Sequence, residues 1–238
     1  MFDRPAIDSR ASHVTELAVP EPGPGTVGID VHYAGVNFKD VMARRGDPGY
    51  VSSWPFVPGL EVAGTVRALG AGVRALEVGD RVTALTNHGG LAEVAVAPAA
   101  LTVRVPAGLD LERAAAAPGA LATAALLLRD FGHLRPGETV LVHSAAGAVG
   151  EAVQRLARMA GAGLVLGTVG SPTRVGSAER AGYASGEPAV CCQRHDRRLQ
   201  SRGSRGDRAG TCGGRDPRCA GPLGRTRTRH SAHLGRRS

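Results

Sequence analysis

Val27, Ile29, Val31 and Tyr33 alternate with Gly28, Asp30 and His32, which is the period of a strand that buries one face. Further short runs follow at Val62 to Leu69, Arg81 to Leu85, Leu91 to Ala97 and Leu101 to Val105, separated by turns such as Val78-Gly79-Asp80. This spacing predicts a compact β-barrel-type domain. The period changes at Asp110, a suitable N-cap for the helix beginning Leu111-Glu-Arg-Ala-Ala, and a second apolar helix is predicted from about Ala120 to Phe131. Arg135-Pro-Gly-Glu138 then turns the chain into the apolar strand Thr139-Val-Leu-Val-His143. A small-residue turn (Ala145-Ala-Gly-Ala-Val-Gly150), a helix to Met159 and a second apolar strand (Leu164-Val-Leu-Gly-Thr168) complete the readable pattern. Beyond Ser185, stretches such as Arg202-Gly-Ser-Arg-Gly-Asp-Arg-Ala-Gly210 and Gly224-Arg-Thr-Arg-Thr-Arg229 carry neither structural period, and disorder is expected there.

Composition sharpens that break. The formal charge is +8, but residues 1–185 hold 16 Lys and Arg against 17 Asp and Glu, while 186–238 hold 13 Arg against 4 acids. The last segment lacks Lys, Ile, Met and every aromatic residue, yet contains all four cysteines, Cys191, Cys192, Cys212 and Cys219. It cannot build a core of ordinary density. Two functional readings of it are weak. The cysteine spacing matches no usual zinc site, and an Arg/Gly-rich RNA-binding tail would lack aromatics on which bases stack. Arg, Gly, Ser, Pro, Cys and His without Lys is the composition of a GC-rich coding region read out of frame, and a frame change between Ala184 and Glu187 is our reading. The first residues, Met1-Phe-Asp-Arg-Pro5, have no apolar signal core. The apolar run from Ala114 to Leu128 is broken by Pro118-Gly119 and is too short to span a bilayer. A soluble cytoplasmic protein without membrane or nucleic-acid partners is expected.

Strand, small-residue turn, helix and strand in that order form half of a dinucleotide-binding fold. A pyrophosphate needs unobstructed backbone N–H groups at a helix start, and Ala145-x-Gly147-x-x-Gly150 supplies them, with Gly147 for close approach and Gly150 for helix packing. Such a turn is also consistent with a tight bend that binds nothing. The second strand runs into Gly167-Thr-Val-Gly-Ser-Pro-Thr-Arg174 without a carboxylate to grip a ribose 2′-hydroxyl. With Arg174 nearby, a 2′-phosphate is better accommodated, which favours NADPH; Arg174 as a solvated surface charge is the alternative.

The strings Ala34-Gly-Val-Asn-Phe-Lys-Asp40, Pro58-Gly-Leu-Glu-Val-Ala-Gly64, Val78-Gly-Asp-Arg-Val82, Thr123-Ala124, Val142-His-Ser-Ala-Ala-Gly-Ala-Val-Gly150 and Gly167-Thr-Val-Gly170 together resemble the quinone oxidoreductase (zeta-crystallin-like) branch of the medium-chain dehydrogenase/reductases, which includes enoyl reductase domains. The resemblance runs from about Leu17 to Ala184. It implies an α/β architecture: a GroES-like β-barrel-type catalytic domain over 1–118, a truncated Rossmann domain with its doubly wound parallel sheet over 119–185, and a disordered basic tail over 186–238. It implies Asn37, Asp40 and Thr123 near a nicotinamide and Tyr50 beside the substrate. Ala146, Gly147, Ala148 and Val149 would lie on the pyrophosphate, with Gly170 and Arg174 near the adenosine ribose and its phosphate. It also implies a homodimer for a full-length member.

The zinc-dependent relatives activate an alcohol on a metal held by Cys and His. Here Val36-Asn37-Phe38 and Pro58-Gly-Leu60-Glu61 stand where those ligands would be, and no cysteine precedes residue 191; no metal is expected. His88, His133 and His143 read as loop or packing residues. The implied activity is hydride transfer from NADPH to a quinone or an α,β-unsaturated carbonyl, the enone taking its proton from Tyr50 or from solvent. A chain lacking the rest of that fold is expected to be unstable and to have little activity. The alternative is a nucleotide-binding protein without turnover, carrying an RNA-interacting basic tail.

Overall fold

The computed structural model describes residues 1–183 and the backbone of 190–192. The chain divides into one unit over Met1–His133 and a second beginning at Leu134. Among the described residues, no helix is long and apolar enough to cross a membrane.

The first unit is built on strands β1 (Thr26–Gly35), β2 (Glu61–Leu69), β3 (Arg81–Leu85), β4 (Val94–Pro98) and β5 (Thr102–Arg104), in the order β4-β1-β2-β3-β5. All four pairings are antiparallel. Their inward positions form one cluster, with Val27, Ile29, Val62, Val82, Ala84 and Ala97 fully buried. The alternation expected along β1 holds for Val27 and Ile29 but not to its end. Val31 pairs with Gly64 and Tyr33 with Ala63, so the register slips between them and Tyr33 is 47% exposed. An extra residue in one strand turns the following side chains off their face.

Helix α1 (Phe38–Arg45) follows β1. Asn37 is its N-cap, Asp40 occupies N3 in a capping box, and Gly46 ends it at φ 75° with its N–H on Ala43 O at 2.9 Å. This helix is too short to show a period, and the Asn37-x-x-Asp40 spacing was its one local signal. Helix α2 (Leu111–Ala115) starts at Asp110 as expected and is tied to β3 by Thr83 Oγ1, which donates to Ala114 O at 2.8 Å. The helix expected from Ala120 to Phe131 is instead α3 (Pro118–Ala125) continued by a wider turn, Leu126–Phe131, in which the Gly132 N–H reaches Leu127 O at 2.8 Å. The Gly119 N–H bonds to Glu61, and α3 lies within the first unit, which runs to His133.

The second unit contains β6 (Thr139–His143), α4 (Ala148–Met159), β7 (Leu164–Val169), α5 (Val175–Arg180) and β8 (Val190–Cys192). The strands are parallel in the order β6-β7-β8. The amphipathic face of α4 buries Ala152, Val153 and Ala157, as its apolar spacing requires. Tyr183 closes this region: it is buried, its hydroxyl donates to Gly150 O at 2.7 Å, and burial pushes its pKa up to about 12. Gln154 Nε2 and Arg158 Nη2 both donate to Gly182 O, at 2.8 and 2.9 Å. The sheet therefore has a third strand where the sequence suggested a two-strand remnant. The pairing of 190–192 with 167–169 supplies backbone partners that side-chain composition does not reveal. The expectations of disorder over 186–238, and those for Cys212 and Cys219, otherwise lie outside the described residues.

Candidate functional site

In the first unit the exit of β1, the start of β2 and the start of α3 meet around Glu61, a carboxylate only 3% exposed. Its Oε1 accepts from Asn37 Nδ2 at 2.7 Å and its Oε2 from the Gly119 N–H at 2.7 Å. Asp40 lies on the far side of Asn37. Its Oδ2 accepts from the Asn37 N–H at 2.8 Å and its Oδ1 from the Gly59 N–H at 2.9 Å. Thr123, one helical turn beyond Gly119, donates through Oγ1 to Gly119 O at 2.7 Å. The fold thus brings Asn37, Asp40 and Thr123 into one hydrogen-bonded network. Asp40, however, spends both oxygens on backbone donors, and Glu61 had no role in the sequence reading. The signal for Glu61 was the charge in Pro58-Gly-Leu-Glu61 at the head of an apolar strand, since a carboxylate inside a sheet must be hydrogen-bonded.

Tyr50 stands apart from that network. It is 40% exposed and lines a cavity of about 1160 Å³ bounded by residues 13–20, 50–53, 55–57, 87–89 and 91–94, among them His88. Neither Asn37, Asp40 nor Thr123 lines it. His88 packs edge-on against Phe56, with ring centroids 6.1 Å apart. Among the described residues, no group of three or more His, Cys, Asp or Glu side chains is placed to hold a metal.

In the second unit, β6 and β7 end side by side, with His143 paired to Thr168 and its Nδ1 2.9 Å from Thr168 Oγ1. The histidine thus bridges two strand ends. Ser144 then turns the chain at φ 58°, a conformation uncommon for a residue with a Cβ. The Gly147 N–H closes the turn on Ser144 O at 2.9 Å, and α4 starts with Gly147 as an N-cap that has no capping side chain. The first-turn N–H groups of a 12-residue helix are therefore left to an outside acceptor. Gly150 is required by packing, because a Cβ there would lie 2.7 Å from the carbonyl oxygens of Ser144 and Ala145. Gly147 and Gly170 instead leave room: a Cβ would meet only Ser144 O at 3.2 Å at the first, and nothing within 4 Å at the second. Ala146, Ala148 and Val149 lie on this turn. Arg174 ends the short turn Pro172–Arg174, exposed and without an ion pair among the described residues.

Residues 23–107 match the alcohol dehydrogenase GroES-like domain. Over 143 residues the chain is 41% identical to a Mus musculus protein, synaptic vesicle membrane protein VAT-1 homolog-like, an alignment covering 60% of this chain and 34% of that one. A mycobacterial structure complexed with NADPH superposes with a TM-score of 0.73 at 34% identity, over 82% of this chain and 58% of that chain. The Escherichia coli quinone oxidoreductase complexed with NADPH superposes with a TM-score of 0.68 at 31% identity, over 76% and 55%. The chain thus spans about a third of that curated relative and somewhat over half of those two structures.

Proposed function

We infer that the chain belongs to the zinc-independent, quinone oxidoreductase-like medium-chain dehydrogenase/reductases and derives from an NADPH-dependent reductase of quinones or α,β-unsaturated carbonyls. The observation that carries this reading is the start of α4. An uncapped helix N-terminus follows a parallel strand, and Gly147 and Gly170 leave bare backbone where a pyrophosphate and a ribose need close approach.

Bound NADPH supplies a hydride from its nicotinamide. In this proposal the N–H groups of Ala148 to Gly150 hold the pyrophosphate charge, and the Arg174 guanidinium donates to the 2′-phosphate. Asn37 and Thr123 orient the nicotinamide, while Asp40 acts through the backbone of Asn37 and Gly59. An enone acceptor would take its proton from Tyr50, which lines the cavity, or from solvent. Catalysis of this kind relies on orientation and exclusion of water, and asks for no metal.

The test is calorimetric titration of the full chain with NADPH and NADH. NADPH is expected to bind more tightly, and Arg174→Ala to weaken it about tenfold while leaving NADH unchanged. Absence of saturable binding, or equal loss for both cofactors, refutes the reading.

A further inference from the structure

Glu61 makes no ion pair among the described residues, so two neutral donors alone hold a buried carboxylate. Glycines wall it in: a Cβ at Gly35 would overlap its Oε1, and one at Gly119 would stand 3.0 Å from its Oε2. Helix α3 has no capping side chain of its own, since Ala117 and Pro118 occupy its start. Glu61 therefore accepts an orphan N–H at the positive end of the helix that carries Thr123. On its other side the Asn37 amide has a defined polarity. Its side chain faces the Asp40 N–H in the capping box, and its Nδ2 faces Glu61. An ionised carboxylate can only accept, so it selects that orientation of the amide.

We propose that Glu61 is a positioning residue: its carboxylate sets the polarity of the Asn37 amide and anchors the helix bearing Thr123, holding both in the arrangement that receives the cofactor. The consequence for binding rests on the NADPH reading above; the hydrogen-bond polarity does not.

That polarity yields a test by exchange of roles. Glu61→Gln leaves one acceptor for two donors, and Asn37→Asp sets two carboxylates face to face. In the double variant the new amide at 61 donates to the new carboxylate at 37, while its oxygen still accepts from Gly119 and the new carboxylate still caps α1. Each single variant is expected to lower the melting temperature, and Glu61→Gln to raise the NADPH Kd about tenfold. The double variant should recover the melting temperature to near that of wild type, the binding readout being confined to Glu61→Gln. A residue that merely fills space gives additive losses in the double variant, and that result overturns the proposal. If the wild-type chain binds no NADPH, the functional reading fails by itself and the melting cycle still decides: recovery supports the role, additivity overturns it. Should Glu61→Gln fail to fold, recovery of a cooperative melt in the double variant is the supporting result and its absence the overturning one.

Discussion

In the first unit every strand pairs antiparallel, and five strands suffice to bury Val27, Ile29, Val62, Val82 and Ala84 completely. In the second unit the strands are parallel, and β6 carries only Val142 buried, with Leu141 57% exposed in the middle of the strand. Antiparallel strands find partners through short connections and tolerate water on one face, whereas a parallel sheet needs crossovers and a layer on both sides. The same apolar alternation thus gives a closed core in one region. In the other it leaves apolar side chains uncovered, although α4 buries Ala152, Val153 and Ala157 and Tyr183 is buried. Apolar content alone does not decide burial; the number of layers the chain brings to the sheet does.

Substitutions can break this comparison, beginning with the largest effect. Ile29→Ala removes a fully buried side chain from the first unit's cluster and is expected to cost about 2–5 kcal/mol in denaturant unfolding. A loss no larger than that of an exposed residue would mean this core is not closed. Gly150→Ala in the second unit places a methyl against two carbonyl oxygens and should cost roughly 1–3 kcal/mol. It should also abolish the NADPH binding proposed for the turn, measured by the same titration. Tyr183→Phe leaves Gly150 O without its donor, an expected loss of about 1 kcal/mol.

Tyr183 also gives the comparison a pH signature. Its pKa is raised to about 12 from the ordinary 10.0, so the folded state keeps a proton that the unfolded chain loses first. The stability it contributes is fully present below pH 10.0 and is lost as pH rises toward 12. Melting of the second unit followed across that window should show the loss in wild type and not in Tyr183→Phe. The smallest effect is expected for Leu141→Ala, within about 0.5 kcal/mol, because the side chain is already largely in water. A loss comparable to that of Ile29→Ala would show that Leu141 is covered in solution.

The sequence alone determined strands β1 to β7, the small-residue turn before α4, and the residues that carry the family resemblance. Each rests on a period or spacing contained within a few residues, which local sterics and hydrogen bonding can enforce. It did not show α1, whose eight residues are held by caps instead of a period. Nor did it show the bulge that turns Tyr33 outward, or the third parallel strand. Asn37, Asp40 and Thr123 were legible as candidates, but their connection was not. It runs through Glu61 and Gly119, 58 residues apart, and a hydrogen bond across that separation leaves no local trace in the chain. The tertiary structure decided that Asp40 is spent on backbone donors, that Tyr50 lines a separate cavity, and that a buried carboxylate joins the rest, because only the folded chain brings those acceptors and donors within reach.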